Sequence, residues 1–159
     1  VTTKLQERHF SAATSHDVAA LFALEASHYP DDGYPTPLFY QALHQWPDLL
    51  QVVRLGTTAE ATIDGYCMGA PGQTHGEVWL MSLLIGPQCR GMGLGHQLLQ
   101  HWLHCVDAMG FAQVRLSVAP TNSAAIKLYE SSGFVIERLE EDYLGAGEDR
   151  FVMCRKALT

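Results

Sequence analysis

One stretch of this chain constrains its fold more than any other. A mostly apolar run from Val78 to Ile85 leads into Pro87-Gln88-Cys89-Arg90-Gly91-Met92-Gly93-Leu94-Gly95. An apolar run bounded by turn signals reads as a buried strand. After the glycines, Leu94, Leu98, Trp102, Val106 and Met109 recur at helical spacing, which predicts a long helix over 93–109 with those five side chains facing a core. Strand, glycine-rich turn and helix together form a geometry for holding phosphate. Backbone N–H groups at the turn and the helix N-terminus point outward, and the helix dipole favours an anion there. Glycine allows close backbone approach and φ > 0. Arg90 adds a charge that is not lost near neutral pH.

Glycine spacing alone is shared by several kinds of site. A P-loop requires Lys-Ser or Lys-Thr after the second glycine, and neither follows here. A dinucleotide-binding fold would place an acidic residue about 20 positions on, and none stands around Phe111 to Val114. A tight turn that simply needs glycine is the remaining structural alternative.

A second segment decides among these. Leu116 to Phe134 reads as strand, turn, short helix, glycine stop and strand. It carries Asn122, Ala125, Leu128, Tyr129, Gly133 and Phe134 in the pattern Asn-x-x-Ala-x-x-Leu-Tyr-x-x-x-Gly-Phe. The earlier turn carries Arg90, Gly93 and Gly95 in the pattern Arg-x-x-Gly-x-Gly. Together the two motifs resemble the GNAT superfamily of acetyl-CoA-dependent N-acetyltransferases. The resemblance is clear from about Val78 onward and weaker before it.

Composition narrows the class. The chain has 159 residues, 47% of them hydrophobic, which fits one domain spanning 1–159 with a full core. No apolar run is long enough to cross a membrane. The first residues, Val1-Thr2-Thr3-Lys4, lack the apolar centre of a signal peptide. Cys67, Cys89, Cys105 and Cys154 are scattered with no metal-binding spacing, so free thiols in a reducing, cytoplasmic setting are expected. Neither Cys89 nor the trio His96, His101 and His104 points to nucleophilic or metal chemistry, and no metal is expected. The net charge of −7 disfavours general nucleic-acid binding and suits a cationic substrate. An anionic ligand must then be held by local design.

The order of elements follows from periodicity and punctuation. A first strand is expected over Lys4–Phe10. Thr14 to Asp17 supply N-cap residue types before Val18, Leu21, Phe22 and Leu24 at helical spacing. Tyr29 to Pro35 is a loop, and Thr36-Pro37 opens a second helix that buries Leu38, Phe39, Ala42 and Leu43. Leu49–Leu55 and Thr62–Ala70 read as strands joined by a hairpin over Gly56–Ala61. Glu77–Ile85, Gln113–Val118, Phe134–Leu139 and Arg150–Arg155 complete the strands, and Ser123–Ser131 is a helix. This order fits an α/β fold with a mixed, largely antiparallel central sheet and helices on both faces, the GNAT-like acyl-CoA N-acyltransferase fold.

Amide formation from a thioester needs a neutral amine, a donor for the carbonyl oxygen, and a proton for the departing thiolate. The family resemblance implies acetyl-CoA as co-substrate. It places Arg90, Gly91, Gly93, Gly95 and His96 around the pyrophosphate. It also makes the backbone of Leu83 and Ile85 the support for pantetheine, on a strand that splays from its neighbour. Asn122 caps a helix and in the family also contacts pantetheine; Lys127 is near in sequence but reads as a solvated lysine. Tyr129 is the expected acid. Glu77 precedes Arg90 by 13 residues, a spacing at which the histone-type branch keeps a glutamate, and is the expected base. His75 and water are the alternatives.

The C-terminal half is most similar to the branch that acetylates protein N-termini, including the ribosomal-protein enzymes, through Tyr143 and the run Gly147 to Met153. It departs from that branch at Leu144 and Arg150. It departs again at Ser117, which stands 12 residues before Tyr129, where that branch has a glutamate base. The segments His28 to Asp32 and Trp46 to Leu50 loosely resemble arylalkylamine and polyamine acetyltransferases, whose substrate loops lie between the first two helices; Tyr29, Asp31, Asp32 and Tyr34 either line an amine pocket there, with acidic and aromatic side chains holding a cation, or form a solvated turn. The acceptor expected is thus an amine-bearing small molecule or a peptide N-terminus, with no nucleic acid or membrane partner. Homodimers are common in the family. A non-catalytic acyl-CoA-binding sensor is the alternative function.

Overall fold

The structure, a computed structural model, describes residues 7–56 and 62–158. Seven strands are β1 (Arg8–Ala12), β2 (Leu50–Leu55), β3 (Ile63–Pro71), β4 (Glu77–Ile85), β5 (Gln113–Val118), β6 (Val135–Glu140) and β7 (Arg150–Lys156). Four α-helices are α1 (Val18–His28), α2 (Thr36–Gln45), α3 (Leu94–Ala108) and α4 (Ser123–Ser131). The strand order is β1-β2-β3-β4-β5-β7-β6. Among the described residues β4 and β5 form a parallel pair, whereas β1–β2, β2–β3, β5–β7 and β6–β7 are antiparallel. The mixed, largely antiparallel α/β sheet expected from the sequence is the one found.

The chain divides into two compact units, Val1–Gly69 with Ser82–Trp102, and Ala70–Met81 with Leu103–Thr159. In the first, β2 is buried along most of its length, as a strand flanked by β1 and β3 must be. Its apolar residues Leu50, Val52 and Val53 share a core with Leu21 of α1, Phe39 of α2 and Leu98 of α3. Its two buried polar residues are satisfied. Gln51 donates to the Asp48 carbonyl at 2.8 Å and meets His101 Nε2 at 2.9 Å. Arg54 makes a two-point pair with Asp17, at 3.0 and 2.9 Å. Asp17 also accepts from the Thr14 backbone N–H at 2.8 Å, which closes the turn before α1. The Trp102 indole N–H donates to the Leu49 carbonyl at 2.9 Å, as a fully buried tryptophan requires.

In the second unit, β5 lies beside the start of β4 and pairs along its length with β7, while β6 is the outer strand. Val114, Leu116, Phe134, Val152 and Met153 form its core with Leu103 and Val106. Arg155 is held by Asp107 at 3.0 and 2.9 Å. Helix α4 begins and ends as its sequence dictates. The Asn122 side chain accepts from the Ala125 N–H at 3.1 Å, and Gly133 takes φ +91° to turn the chain into β6.

Three expectations are corrected. Helix α3 stops at Ala108, Gly110 turns the chain at φ +84°, and Met109 is left 44% exposed rather than in the core. The first strand is Arg8–Ala12, shifted toward the C-terminus, and Lys4 to Gln6 lie outside the described residues. In α1 the buried face carries Val18, Leu21 and Glu25, while Phe22 is exposed. Most of the expected hairpin, residues 57–61, lies outside the described residues.

Candidate active site

The glycine turn in the first unit has the geometry its sequence demands. Gly91 and Gly93 adopt φ +78° and +72°, and a Cβ built on either would meet no atom within 4 Å. The backbone is therefore left-handed and open at both positions, which only glycine adopts without strain. Gly95 does not share this role, because it lies in the first turn of α3 and is absent from the left-handed residues. The first-turn N–H groups of α3 lack intrahelical acceptors by geometry, so they face the turn as donors. His96 is exposed in that same turn, and Arg90 is exposed at its entrance. Arg90 contacts His28 Nε2. The opposite ring nitrogen lies 3.1 Å from the Leu24 carbonyl, so the proton is assigned to Nδ1 and Nε2 accepts from Arg90. A cleft of about 900 Å³ opens beside the turn, lined by α1 residues such as Leu24 and Ser27 and by Gly86 to Cys89. These features fit an anionic, phosphate-bearing ligand such as acetyl-CoA.

Strand β4 carries Leu83 and Ile85. Its parallel pairing with β5 consists of Glu77↔Gln113, Val78↔Val114 and Trp79↔Arg115. Within the second unit the ladder holds no further pair among the described residues. The family resemblance expects its splay along this strand. On the other side, β3 presses close. A Cβ on Gly65 would lie 2.6 Å from the Leu84 carbonyl oxygen and 2.7 Å from Ile85 Cδ1. Glycine at 65 thus sets the position of the last two residues of β4.

Glu77, the expected base, lies in the second unit and is 5% exposed. Its Oε1 accepts from the Trp79 indole at 2.8 Å. Its Oε2 accepts from Gln113 at 3.2 Å and is in direct contact with the Arg115 guanidinium. Arg115 in turn holds Glu137 at 3.0 Å and keeps that carboxyl below its ordinary pKa. Both Glu77 oxygens are therefore occupied by donors. Glu77 and His75 line a cleft of about 400 Å³ together with Met109 and Phe111.

Tyr129 and Asn122 also lie in the second unit, at the last turn and the cap of α4. Tyr129 is half-buried, its ring edge-on to Phe134 at 5.7 Å between centroids. Its carbonyl accepts from Ser132 and Phe134, so the helix end fixes its backbone from two directions. Lys127 is exposed. Ser117, facing Val152 in the β5–β7 ladder, offers no carboxylate. Of the histidine trio, His96 and His104 are exposed, and His101 is engaged by Gln51 and tilted against the Phe10 ring.

One cluster escaped the sequence reading. Glu25 is 2% exposed and Tyr66 of β3 is fully buried, and the Tyr66 hydroxyl donates to Glu25 Oε2. The same hydroxyl oxygen lies 3.0 Å from Ser82 Oγ on β4. Glu25 Oε1 accepts from the Tyr34 backbone N–H at 3.2 Å, tying down the loop after α1. Along that loop Tyr29, Asp31 and Asp32 are exposed, and Tyr34 is half-buried. A signal existed: Glu25 follows Leu21 by four residues, on the buried stripe of α1.

Comparison with known proteins agrees with this geometry. The chain belongs to the Acetyltransferase (GNAT) family, whose family model matches residues 17–134. It is 34% identical over 74 residues to the ribosomal protein bS18-alanine N-acetyltransferase of Escherichia coli K12, covering 46% of this chain and 50% of that protein. The match thus spans about half the length of these curated relatives. The fold resembles Ard1 from Thermoplasma volcanium, with a TM-score of 0.83, 21% identity, and coverage of 96% of this chain and 99% of that one. It also resembles a chain of the NatC complex bound to Gag peptide and CoA, with a TM-score of 0.82, 20% identity, and coverage of 96% and 99%. The family recognised from the two motifs is borne out, and the relatives include the branch to which the C-terminal half pointed. Among the described residues no helix is long and apolar enough to cross a membrane.

Proposed function

We propose that this protein transfers the acetyl group of acetyl-CoA to a primary amine, with a peptide N-terminus as the acceptor class. The observation that carries the reading is the open, left-handed pair Gly91 and Gly93 ahead of α3. Arg90, Gly91, Gly93, Gly95 and His96 receive the pyrophosphate. Leu83 and Ile85 hold pantetheine through backbone groups, and one of their N–H groups polarises the thioester carbonyl; Asn122 adds a polar contact. The amine nitrogen attacks the carbonyl carbon, the C–S bond breaks, the thiolate takes the Tyr129 proton, and the proton the nitrogen sheds as the amide forms restores the Tyr129 phenol.

The peptide acceptor is supported by the ribosomal-protein relative and by the chain of similar fold in the NatC complex bound to Gag peptide and CoA. Asp31 and Asp32 give the loop after α1 a charge suited to an ammonium group. The cytoplasm is the compartment in this reading, in keeping with four cysteines that form no disulfide among the described residues. Glu77 is assigned to anchoring the start of β4 through Arg115 rather than to receiving the amine proton. Both Glu77 oxygens already accept hydrogen bonds, which supports that structural role.

The test combines two measurements. Acetyl-CoA at about 100 times its Kd should stabilise the fold by about 2.7 kcal/mol. Thiol release is then followed with an alanine-initiated hexapeptide, spermidine and tryptamine. Amine-dependent release supports the reading. Binding without release from any acceptor would make the protein a sensor, and no thermal response to acetyl-CoA would refute the ligand.

A further inference from the structure

The acceptor amine arrives as an ammonium ion, and its proton needs a destination. Glu77 already accepts from Trp79, Gln113 and Arg115, and Ser117 has no carboxylate. Glu25 is the contrasting carboxylate. It is sealed from solvent, and among the described residues no lysine, arginine or histidine pairs with it. The groups facing it are the Tyr66 hydroxyl from β3 and Tyr34 from the loop after α1. Such a carboxylate adds nothing to a salt-bridge network, and its hydroxyl contact leads through Tyr66 to Ser82.

That route is directional. Tyr66 has one phenolic proton and gives it to Glu25, so its oxygen can only accept from Ser82, 3.0 Å away. Ser82 is half-buried whereas Tyr66 and Glu25 are closed off, so Ser82 is the accessible end. Ser82 immediately precedes Leu83 on β4, the strand assigned to pantetheine. Burial first, and the Glu25 carboxylate second, push the Tyr66 phenol far above its ordinary pKa. Tyr66 therefore does not become a free phenolate, and protons pass it only by simultaneous gain and loss.

We propose that Ser82, Tyr66 and Glu25 form a proton relay that neutralises the acceptor ammonium. The inference rests on the acetyltransferase reading. The ammonium proton moves to Ser82 Oγ as the Ser82 proton moves to Tyr66 Oη and the Tyr66 proton moves to Glu25 Oε2. One proton leaves the nitrogen, one arrives on Glu25, and the two hydroxyls are unchanged. The amine is then neutral for attack, and Glu25 returns its proton along the same path after the amide departs. Ser82 is the group that touches substrate; Tyr66 and Glu25 act through it.

The experiment is the pH profile of kcat/KM for Ser82→Ala, Tyr66→Phe and Glu25→Gln, with an alanine-initiated hexapeptide as acceptor and spermidine as a second. An α-amine has a pKa near 8, so about a tenth of it is neutral at pH 7. Loss of the relay should lower kcat/KM by about tenfold at pH 7, and the deficit should close to roughly twofold at about pH 8 and all but vanish at about pH 9, where the amine needs no acceptor. With spermidine, whose amines titrate near 10, the deficit should be larger and persist to higher pH. A packing role would give a deficit independent of pH. If Glu25→Gln fails to fold, Ser82→Ala decides, because it leaves the Glu25 contacts to Tyr66 and Tyr34 intact. Equal rates, or a pH-independent loss, in Ser82→Ala overturn the relay while the acetyltransferase reading stands. Wild-type protein that releases no CoA with either acceptor overturns both.

Discussion

Gly65→Ala tests how the end of β4 is positioned. The added methyl would lie 2.6 Å from the Leu84 carbonyl oxygen, where ordinary contact begins at 3.4 Å, so it is short by about 0.8 Å. A backbone oxygen cannot rotate away as a side chain can, and Ile85 Cδ1 at 2.7 Å blocks the other direction. Strands β3 and β4 must part locally, a form of overpacking that costs about 1–3 kcal/mol. For a chain of this size each kcal/mol lowers Tm by about 2–4 °C, so a fall of roughly 4–8 °C is expected for a cost near 2 kcal/mol. The displaced residues include Ile85, so the stabilisation by acetyl-CoA should shrink as well. Gly93→Ala is the comparison. It meets open space, and its cost is the left-handed backbone alone, about 1–2 kcal/mol. Differential scanning fluorimetry with and without acetyl-CoA reads both effects. A Gly65→Ala protein with the wild-type Tm and an unchanged acetyl-CoA response would refute the close approach and its role.

Tyr129→Phe keeps the edge-on contact with Phe134 and removes the phenolic proton, so kcat should fall by about 10²-fold with little change in acetyl-CoA affinity; steady-state kinetics with the chemical step rate-limiting checks this. Glu77→Gln should lose about 1 kcal/mol, since Arg115 keeps Glu137 at 3.0 Å, and should leave the pH profile of kcat/KM unchanged; disappearance of its acid limb would make Glu77 the base after all. Asp17 should govern stability in acid. Burial alone would raise its pKa, but the Arg54 guanidinium and the Thr14 N–H more than offset this and hold the carboxyl below its ordinary value. A depressed folded pKa gives stability that is complete above the unfolded value of about 3.9 and lost as pH falls through the folded one. Urea unfolding should therefore show Asp17→Asn less stable at neutral pH and flatter below about pH 4 than the wild type.

Local signals carried most of the fold. β4, β5 and α4 have the bounds their sequences imply, because each is bracketed by its own punctuation: Gly76 and Gly86 around β4, Asn122 and Gly133 around α4. The glycine turn was equally legible, since the need for left-handed backbone at Gly91 and Gly93 is local. Where tertiary context decides, the sequence was silent or misleading. Met109 fits the apolar stripe of α3, yet the helix ends one residue before it. Glu77 meets Arg115, 38 residues away, a partner that spacing could not reveal. Glu25 and Tyr66 are separated by 41 residues, and nothing in either segment names the other. What was readable is that Glu25 and Arg54 each interrupt a buried apolar pattern, and a charge in such a place needs a partner.

Transfer itself is the most direct measurement. Acetyl-CoA labelled with carbon-13 in the acetyl group is incubated with the protein and an alanine-initiated hexapeptide, and the peptide is fragmented in a mass spectrometer. The account predicts the label on the N-terminal nitrogen, in amounts equal to the CoA released and absent when the peptide is already N-blocked. Release of CoA without label on any acceptor, or binding of acetyl-CoA with no turnover at all, would contradict it.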